Sequence, residues 1–413
     1  MSHPNNQVIA RLADRHVLQV IPSVSYAHGG PSHAIRLTEH ALTNTAWRSV
    51  TATTDDDGPG RYLRCALNQP VIDDLVTRLY FHKGTEFYKA AWSFAPWVMQ
   101  SVKQFDAVHI HALFSFTSIV AAWAARRAGV PYILCPHGAM ATYGITQRRP
   151  WLKRQSLRWL EGPLLRDAAA VHFTSLDEQH EAARSGIRMR SVVIPLGVQA
   201  PAAANDALVR ARFGALGSEP YFLTIARIDP VKNIEGLLCA FAMFHAQMPG
   251  TKLLIAGDGS PDYVASLVAL ARLQGLADHV VWAGHIEGSL KHSALAGATL
   301  FVLPSFSESF GLAAAEALMA GLPCVLGQGV AISQDVVNAG AGLAVAPDAA
   351  SVATGLMRLA ADAPERDRMA VRAAALARDK YSAKAMGANL VALYEDILGR
   401  RETLASNVSR IRK

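Results

Sequence analysis

Residues 303–323 read LPSFSESFGLAAAEALMAGLP, and this stretch decides the class of fold. An apolar strand end is followed by a polar loop, a glycine and an Ala/Leu-rich helix, which is the strand-to-helix step of an α/β sheet. Glu316 is the only charged residue between Phe310 and Pro323, and seven residues separate it from Glu308. Because an unpaired buried carboxylate is costly, we expect Glu316 to have donors from the protein or from a ligand such as a sugar diol. Glu308 precedes a helix N-terminus, whose N–H groups suit phosphate; the alternative is a solvent-facing Glu316 and a plain loop residue at Glu308.

Short apolar runs alternate with helical segments in both directions from this stretch. Strands that read as continuous apolar runs between helices indicate parallel sheets covered on both faces. There are too many for one compact open sheet, and the Pro/Ala segment Val198–Asn205 interrupts the pattern, so we expect two doubly wound α/β domains. The expected strands are His16–Pro22, Ser49–Thr54, Ala107–His111, Pro131–Pro136, Ala170–Ser175, Ser191–Leu196, Tyr221–Ala226, Lys252–Ala256, Val280–Ala283, Leu300–Pro304 and Cys324–Leu326.

The composition excludes several classes of protein. The chain has 413 residues, of which 51% are hydrophobic and 18% charged, so it is not a disordered, collagen-like or coiled-coil protein. The four cysteines are far apart and predict free thiols, without a disulfide framework or zinc site. The N-terminal MSHPNNQVIARLADR lacks the apolar region of a signal peptide, and no apolar run is long enough to span a bilayer. We therefore expect a cytoplasmic protein.

The net charge of +7 arises in the first half of the chain, where residues 1–200 hold 21 Lys/Arg against 14 Asp/Glu. Within it, Arg148–Arg166 carries six basic residues and a single acidic one, together with Trp151 and Trp159. Such a segment suits an anionic membrane surface or nucleic acid, and the alternative is a solvated helix face.

A second motif lies at residues 221–235, YFLTIARIDPVKNIE. A strand leads into Arg227, Asp229 and Pro230 form a turn, and Lys232 opens a helix. Two cations at the carboxyl end of a strand can hold a diphosphate, Arg as a fork and Lys as a point charge. Surface ion pairs are the alternative.

A third motif, IPSVSYAHGGPSHA at residues 21–34, places Gly29 and Gly30 before Pro31 at a helix start. Paired glycines let the backbone approach an anion at that helix terminus, although a Gly-Gly pair is also common in turns. The motif is not a G-x-G-x-x-G dinucleotide-binding fingerprint, and the absence of that fingerprint disfavours a dehydrogenase.

Together these motifs resemble the GT-B-fold glycosyltransferases of the large retaining family GT4, over nearly the whole chain. The family's motifs are matched in order by Gly29 and Gly30, by His137 and Gly138, by Arg227 and Lys232, and by the E-x7-E pair Glu308 and Glu316.

The resemblance implies a GT-B architecture of two Rossmann-like domains that face each other across a cleft. Residues 1–200 would form the acceptor-binding domain and residues 201–381 the nucleotide-sugar-binding domain. Residues 382–413 would provide a helix, expected at Ser382–Leu398, that crosses back to the first domain, and a basic tail.

The resemblance also implies roles for residues of the second domain. Glu316 would bind the ribose hydroxyls and Arg227 and Lys232 the diphosphate. Backbone at Phe310–Leu312 would lie near phosphate or sugar, and backbone at Gly284–Ile286 would meet the base. The implied donor-binding residues are Gly29, Gly30, Arg227, Lys232, Gly284, Ile286, Phe310, Gly311, Leu312 and Glu316, and the implied catalytic residues are His137 and Glu308.

Family members retain the anomeric configuration and work without a metal or other cofactor. The resemblance therefore implies transfer of a hexose from a UDP- or GDP-sugar to a glycan or lipid-linked acceptor. The stretch after His137 is similar to members that build bacterial surface polysaccharides, which suits a protein peripheral to the inner face of the membrane. A sugar-nucleotide epimerase or a phosphorylase of the same fold is the main alternative.

Other readings of the sequence are weaker. Asp55–Asp57 contains a D-x-D, the metal-binding element of the GT-A fold, but reads more simply as a solvated loop. His109 and His111 lie on one face of a strand without a third metal ligand at suitable spacing. A non-catalytic nucleic-acid-binding or membrane-binding protein is a remote alternative, and no recognition helix or RNP-like strand supports a nucleic-acid partner.

Overall fold

The computed structural model describes residues 15–73, 76–141, 150–202 and 205–411. Contacts divide the chain into two compact units: unit 1 comprises the chain up to Gly197 and from Ala383 onward, and unit 2 is Val198–Ser382. The signal-peptide expectation concerns residues 1–15, of which 1–14 lie outside the described residues, as do Arg148 and Arg149 of the basic segment. Among the described residues, no helix combines the length and apolarity needed to cross a bilayer.

Unit 1 is built on an eight-stranded sheet in the order β3-β4-β2-β1-β5-β6-β7-β8. All neighbours are parallel except the edge strand β3, which runs antiparallel to β4. The strands are β1 (Arg15–Ser23), β2 (Trp47–Thr54), β3 (Pro70–Asp73), β4 (Val76–Phe81), β5 (Ala107–His111), β6 (Tyr132–Cys135), β7 (Ala170–Phe173) and β8 (Ser191–Val193).

The helices of unit 1 follow these strands along the chain. A π-helical turn, Leu157–Glu161, joins the helices Pro150–Ser156 and Gly162–Asp167, and short 3-10 turns occur at Tyr26–His28 and Val102–Gln104. The helices are α1 (Gly30–Leu42), α2 (Phe94–Ser101), α3 (Phe116–Ala128), α4 (Pro150–Ser156), α5 (Gly162–Asp167), α6 (Leu176–Ala183) and, at the C-terminal end of the chain, α15 (Ala383–Ile411).

Unit 2 contains a six-stranded sheet in the order β11-β10-β9-β12-β13-β14, parallel throughout. The strand order reverses between β9 and β12, and in such sheets ligands bind beyond the carboxyl ends of the strands at the point of reversal. The strands are β9 (Tyr221–Ile225), β10 (Lys252–Ala256), β11 (Val280–Gly284), β12 (Leu300–Leu303), β13 (Cys324–Gly327) and β14 (Gly342–Val345).

Helices connect the strands of unit 2, as parallel strands require. Two 3-10 turns, Gly214–Leu216 and Pro230–Lys232, accompany them. The helices are α7 (Ala207–Arg212), α8 (Ile234–Gln247), α9 (Pro261–Leu273), α10 (Gly288–Gly297), α11 (Leu312–Met319), α12 (Ser333–Asn338), α13 (Ala349–Ala361) and α14 (Ala363–Lys380), after which α15 (Ala383–Ile411) belongs to unit 1.

The central strands of both sheets are buried on both faces, because helices cover them. Leu18 and Ile110 in unit 1 and Leu254 and Val302 in unit 2 are inaccessible to solvent. This burial explains why the strands read as continuous apolar runs, and it confirms the prediction of two doubly wound α/β domains. All four cysteines are free thiols.

Three strands were not expected from the sequence: β3, β4 and β14. The β3 strand alternates exposed and half-buried residues at a sheet edge, so it lacks the apolar run of a central strand. β4 contains Arg78, which is 1% exposed and hydrogen-bonded to Glu39. This buried charge interrupts the apolar run by which a central strand is predicted.

Candidate functional site

The Arg227 and Lys232 motif lies directly beyond β9, beside the reversal point of the unit 2 sheet. The side chain of Arg227 is 72% exposed, and Asp229 lies 4.0 Å from its guanidinium. The carboxylate of Asp229 accepts the N–H of Val231 at 3.1 Å and so caps the 3-10 turn that ends at Lys232. The turn holds Lys232 at the strand end while Arg227 extends into solvent.

Asn233, which no sequence motif singled out, ties this loop to the residues that follow the neighbouring strands. Its backbone is left-handed, with φ of 56°, and its side-chain oxygen caps α8 at Gly236. Its amide donates to the carbonyl oxygen of Pro304, after β12, at 3.1 Å and to that of Pro347, after β14, at 2.6 Å. An Asn directly after a cationic turn and before an apolar helix was the available signal, since Asn tolerates left-handed backbone.

Lys232 and Glu308 form an ion pair between the loops after β9 and β12. The two side chains are 13% and 19% exposed. The N–H of Phe306 donates to the carbonyl oxygen of Val231 at 2.9 Å, so backbone bonding also holds these loops together. The structure therefore brings together two of the predicted residues from motifs 76 positions apart.

Glu316 lies on α11 and pairs with Lys291 on α10 at 2.8 Å, with both side chains 21% exposed. The expectation that this carboxylate needs a donor is met within the protein by Lys291. Lys291 lies outside the Glu308–Glu316 motif, because its helix follows a different strand, so the motif alone does not reveal it. The Glu316 side chain is only partly exposed, and its carboxylate remains accessible to hydrogen-bond donors from a ligand.

Gly311 begins α11 in a left-handed conformation, with φ of 95° and no side-chain cap. A Cβ at this position would lie 2.8 Å from a methyl of Val330, so the turn requires glycine. Phe310 is buried with its ring edge against Tyr381, and Leu312 is the first residue of the helix. Backbone N–H groups at a helix N-terminus suit an anion.

Gly284 ends β11 with φ of 62°, and Ile286 is 5% exposed. The carbonyl oxygen of Gly284 accepts the N–H of Gly257 at 2.7 Å. Gly257 itself has φ of 142°, and a Cβ there would lie 1.7 Å from the carbonyl oxygen of Ala226. The loops after β10 and β11 are therefore in direct backbone contact with each other, and the loop after β10 also contacts the Arg227 loop after β9.

In unit 1, Gly29 and Gly30 begin α1 beyond the carboxyl end of β1. Gly29 has φ of 69°, Pro31 follows in the first turn, and no side chain caps the helix. No heavy atom lies within 4 Å of a Cβ built on either glycine. The helix start is therefore open to close approach by a ligand.

Asp56 corrects the expectation of a solvated Asp55–Asp57 loop, since its side chain is fully buried. The Lys83 ammonium donates to its carboxylate at 2.7 Å, and Nε2 of His28 lies 2.9 Å from the carboxylate. The Lys89 ammonium forms an ion pair with the same carboxylate. Burial alone would raise the pKa of Asp56, but hydrogen bonds from these three side chains outweigh it and lower the pKa. Because Lys83 and Lys89 come from the loop after β4, the sequence run could not reveal them. The cluster fixes the loop that leads into Gly29.

His137 follows β6 in a left-handed conformation, with φ of 50°. Its Nε2 lies 2.9 Å from Nδ1 of His111, and the rings are stacked with centroids 5.2 Å apart. The next residue, Gly138, donates its N–H to the buried carboxylate of Glu178 at 2.5 Å. Burial lowers the pKa of His137 to about 3, with His172 adding to the effect, so the ring is neutral near pH 7.

The expectation that His109 and His111 lack a third metal ligand is wrong for the described residues. His109, Cys135 and His172 form one set with ligand atoms within 4.8 Å of each other, and His111, Cys135 and His137 form another. The additional ligands come from β6, β7 and the loop after β6, so spacing within one strand could not show them. Imidazole and thiolate are ligands that zinc accepts.

Sequence profiles of known families match both units. The profile described as "Glycosyl transferases group 1" matches residues 207–375, within unit 2. The profile described as "Glycosyl transferase 4-like domain" matches residues 29–197, within unit 1. Together they span most of the chain.

Several curated proteins are similar in sequence. Alpha-monoglucosyldiacylglycerol synthase of Streptococcus pneumoniae is 28% identical over 54% of this chain and 52% of its own length. D-inositol 3-phosphate glycosyltransferase of Segniliparus rotundus is 29% identical over 66% and 62%. The match thus spans little more than half the length of these two relatives. GDP-mannose:cellobiosyl-diphosphopolyprenol alpha-mannosyltransferase of Komagataeibacter xylinus is 25% identical over 81% of each chain.

Solved structures share the fold at lower identity. Sucrose-phosphate synthase of Thermosynechococcus elongatus superimposes with a TM-score of 0.74 at 20% identity, covering 94% of this chain and all of its own. HepE of Anabaena, in complex with UDP and glucose, gives 0.71 at 20% identity, covering 95% and all of its own. Profiles, relatives and structures agree with the sequence resemblance, and the chain belongs to the GT4 family of glycosyltransferases, with the GT-B fold.

Proposed function

We propose that this protein transfers a hexose from a UDP- or GDP-sugar to a lipid-linked or polysaccharide acceptor, with retention of configuration and without a metal ion. The observation that carries the proposal is the arrangement at the reversal point of the unit 2 sheet. There Arg227 extends into solvent from the same loop as Lys232, and Glu308, the partner of Lys232, lies in the loop that leads to the uncapped helix start at Gly311. Cations and N–H groups at that position suit a diphosphate.

Cleavage of the sugar–phosphate bond builds negative charge on the departing diphosphate. In the proposed mechanism Arg227, Lys232 and the N–H groups at the start of α11 stabilise that charge. Glu316 accepts hydrogen bonds from the ribose hydroxyls, and Lys291 holds its carboxylate in place. These groups are provided by the chain itself, so the mechanism calls on no metal.

Retention follows if the acceptor attacks the same face from which the diphosphate departs. The bond from the anomeric carbon to the diphosphate oxygen breaks, and the bond to the acceptor oxygen forms. The acceptor proton passes to an oxygen of the leaving diphosphate. His137 and the open helix start at Gly29 and Gly30 are the unit 1 groups that we assign to the sugar and the leaving phosphate.

The names of similar proteins support the acceptor class. The Komagataeibacter relative is named for a GDP-mannose donor and a diphosphopolyprenol-linked acceptor, and the streptococcal relative for a glucosylated diacylglycerol. The Anabaena structure holds UDP and glucose. We extend these two properties, a nucleotide-sugar donor and a lipid-linked acceptor, to this chain.

A lipid-linked acceptor would bring the protein to the inner face of the membrane. The segment over α4, the π turn and α5 exposes Trp151 and Trp159 by 68% and 67%. The basic residues Lys153, Arg154 and Arg158 accompany them on the same segment. Exposed tryptophans with adjacent cations suit an anionic bilayer surface.

Product analysis tests the proposal. The protein is incubated in EDTA with UDP-glucose or GDP-mannose and with diacylglycerol or a synthetic lipid-diphosphate disaccharide, and the product's anomeric configuration is read by NMR. We expect an α-linked product from an α-linked donor. A β-linked product, or loss of transfer in EDTA, would contradict the mechanism. Conversion of the donor sugar without acceptor would indicate an epimerase, and a strict need for inorganic phosphate a phosphorylase.

A further inference from the structure

Unit 1 contains a line of buried polar side chains that joins the last helix to His137. Each of its five inner members is at most 1% exposed, although Gln and His side chains are seldom fully buried. They come from three strands and from α15, and the five are Gln19, His109, His111, His172 and Tyr394.

One end of the line fixes the direction of its hydrogen bonds. His172 Nε2 lies 2.8 Å from the carbonyl oxygen of Ile194, which can only accept, so His172 carries its proton on Nε2. Its Nδ1 therefore accepts from Nε2 of His109, 3.3 Å away. Nδ1 of His109 then accepts from the hydroxyl of Tyr394 at 2.9 Å.

The directions of the remaining hydrogen bonds, from Tyr394 to His137, are fixed in the same way. The Tyr394 oxygen, having donated its proton, accepts from the Gln19 amide nitrogen at 3.4 Å. The amide oxygen of Gln19 accepts from Nε2 of His111 at 2.7 Å. Nδ1 of His111 then accepts from Nε2 of His137 at 2.9 Å. Every bond is satisfied when all four histidines are neutral and carry the proton on Nε2.

The environment supports neutral rings. Burial lowers the pKa of His172 to about 4 and that of His137 to about 3, and it holds the pKa values of His109 and His111 well below their usual range. Each ring also meets another imidazole, and neighbouring cations would repel each other. An uncharged line is therefore the favoured state at neutral pH.

A metal ion is the competing reading, because Cys135 completes two His/Cys/His sets. Binding an ion would displace hydrogen bonds that the rings already make, including the bond between His111 and His137. Burial also raises the pKa of the Cys135 thiol well above its usual value, which disfavours the thiolate that a metal requires. The hydrogen-bonded line accounts for the same residues without an ion.

We propose that Gln19 and Tyr394 are positioning residues, which hold His111 and His137 in the Nε2-protonated tautomer and so fix the orientation of His137 for sugar transfer. The kinetic part of this inference rests on the proposed function; the tautomer part does not. Without the Tyr394 hydroxyl, the Gln19 amide loses the partner that sets its orientation. It can then turn its N–H toward His111, which moves the protons of His111 and His137 to Nδ1.

The experiment compares the wild type with Tyr394→Phe and with Tyr132→Phe. Tyr132 is a matched control, since it is 3% exposed and its hydroxyl donates to the carbonyl oxygen of Leu164 at 2.7 Å, outside the line. Protein labelled with ¹⁵N-histidine is examined by long-range ¹H–¹⁵N NMR, which distinguishes the two tautomers. Gln19→Met is a second variant that breaks the line at another member.

We expect Nε2-protonated signals for all four histidines in the wild type and in Tyr132→Phe. In Tyr394→Phe we expect Nδ1-protonated signals for His111 and His137. In Gln19→Met, which has no amide to fix either tautomer, we expect mixed Nε2- and Nδ1-protonated signals. In both variants kcat for transfer should fall about tenfold or more at nearly constant KM. Unchanged tautomers in both variants, or stoichiometric zinc in the purified wild type, would overturn the inference. A tautomer shift in a protein without transferase activity would uphold the line and defeat the proposed function.

Discussion

The Lys232–Glu308 pair offers a double-mutant cycle that separates donor binding from stability. The two side chains are 13% and 19% exposed, and among the described residues Lys232 is the only cation that forms an ion pair with Glu308. Lys232→Met therefore leaves a half-buried carboxylate unpaired, which we expect to cost about 1–3 kcal/mol of unfolding free energy. Glu308→Gln in the same chain removes the stranded charge and should recover most of that loss.

Donor affinity should behave differently from stability. A charge-assisted hydrogen bond from Lys232 to the diphosphate is worth about 1.5–3 kcal/mol, so Lys232→Met should raise the Kd for UDP or GDP about ten- to a hundredfold. The double variant should keep a Kd at least about tenfold above wild type, because no cation replaces Lys232.

Unfolding in urea gives the free energy of unfolding of each variant, and calorimetric titration with UDP and GDP in EDTA gives the Kd for each nucleotide. Lys252→Met serves as the control, since Lys252 pairs with Glu219 at 3.2 Å in the same unit, at the opposite end of the sheet. It should bind nucleotide like the wild type. The reasoning is refuted if the double variant regains wild-type affinity, because Lys232 would then serve only to neutralise Glu308.

Three further predictions concern unit 1. Asp56→Asn should lower the unfolding free energy by about 1–3 kcal/mol in urea, because Lys83 and Lys89 lose their shared carboxylate while Lys83 keeps Glu86; a loss below about 0.5 kcal/mol would contradict the cluster. Gly30→Ala should leave stability within about 0.5 kcal/mol, since no heavy atom lies within 4 Å of its Cβ site, yet reduce transfer; unchanged transfer would show that no ligand approaches there. His137 and His172 have lowered pKa values, so they stabilise the fold above about pH 6.5 and lose this contribution as the pH falls. Between about pH 7 and about pH 5, the free energy of unfolding measured in urea should fall by about 2 kcal/mol for each of these histidines. His172→Gln should reduce that fall.

Much of the fold follows from local sequence pattern. Ala107–His111 and Lys252–Ala256 begin and end as the apolar runs predict, because each is a central strand buried on both faces. The last helix runs from Ala383 to Ile411, beyond the expected Leu398, since its polar second half carries no apolar stripe to mark it. Local pattern thus predicts buried elements best and exposed ends least.

Candidate site residues could be singled out from the sequence where a motif is continuous. Glu316 was found because it is the one charge in an apolar helix, whereas its partner Lys291 lies on another helix 25 positions away. Asp56 was misread for the same reason, since Lys83 and Lys89 approach it from a loop after another strand. Only the strand order brings such partners together, and the strand order is not written in any short segment.

The central claim is that unit 2 binds a nucleoside diphosphate without a metal through Glu316. The most direct measurement is the thermal unfolding of wild type, Glu316→Gln and the control Glu219→Gln with UDP or GDP in EDTA. Nucleotide at about 100 times its Kd should stabilise the wild type and the control by about 2.7 kcal/mol, and Glu316→Gln should lose most of this. Equal stabilisation of all three proteins, or none for the wild type, would contradict the donor site.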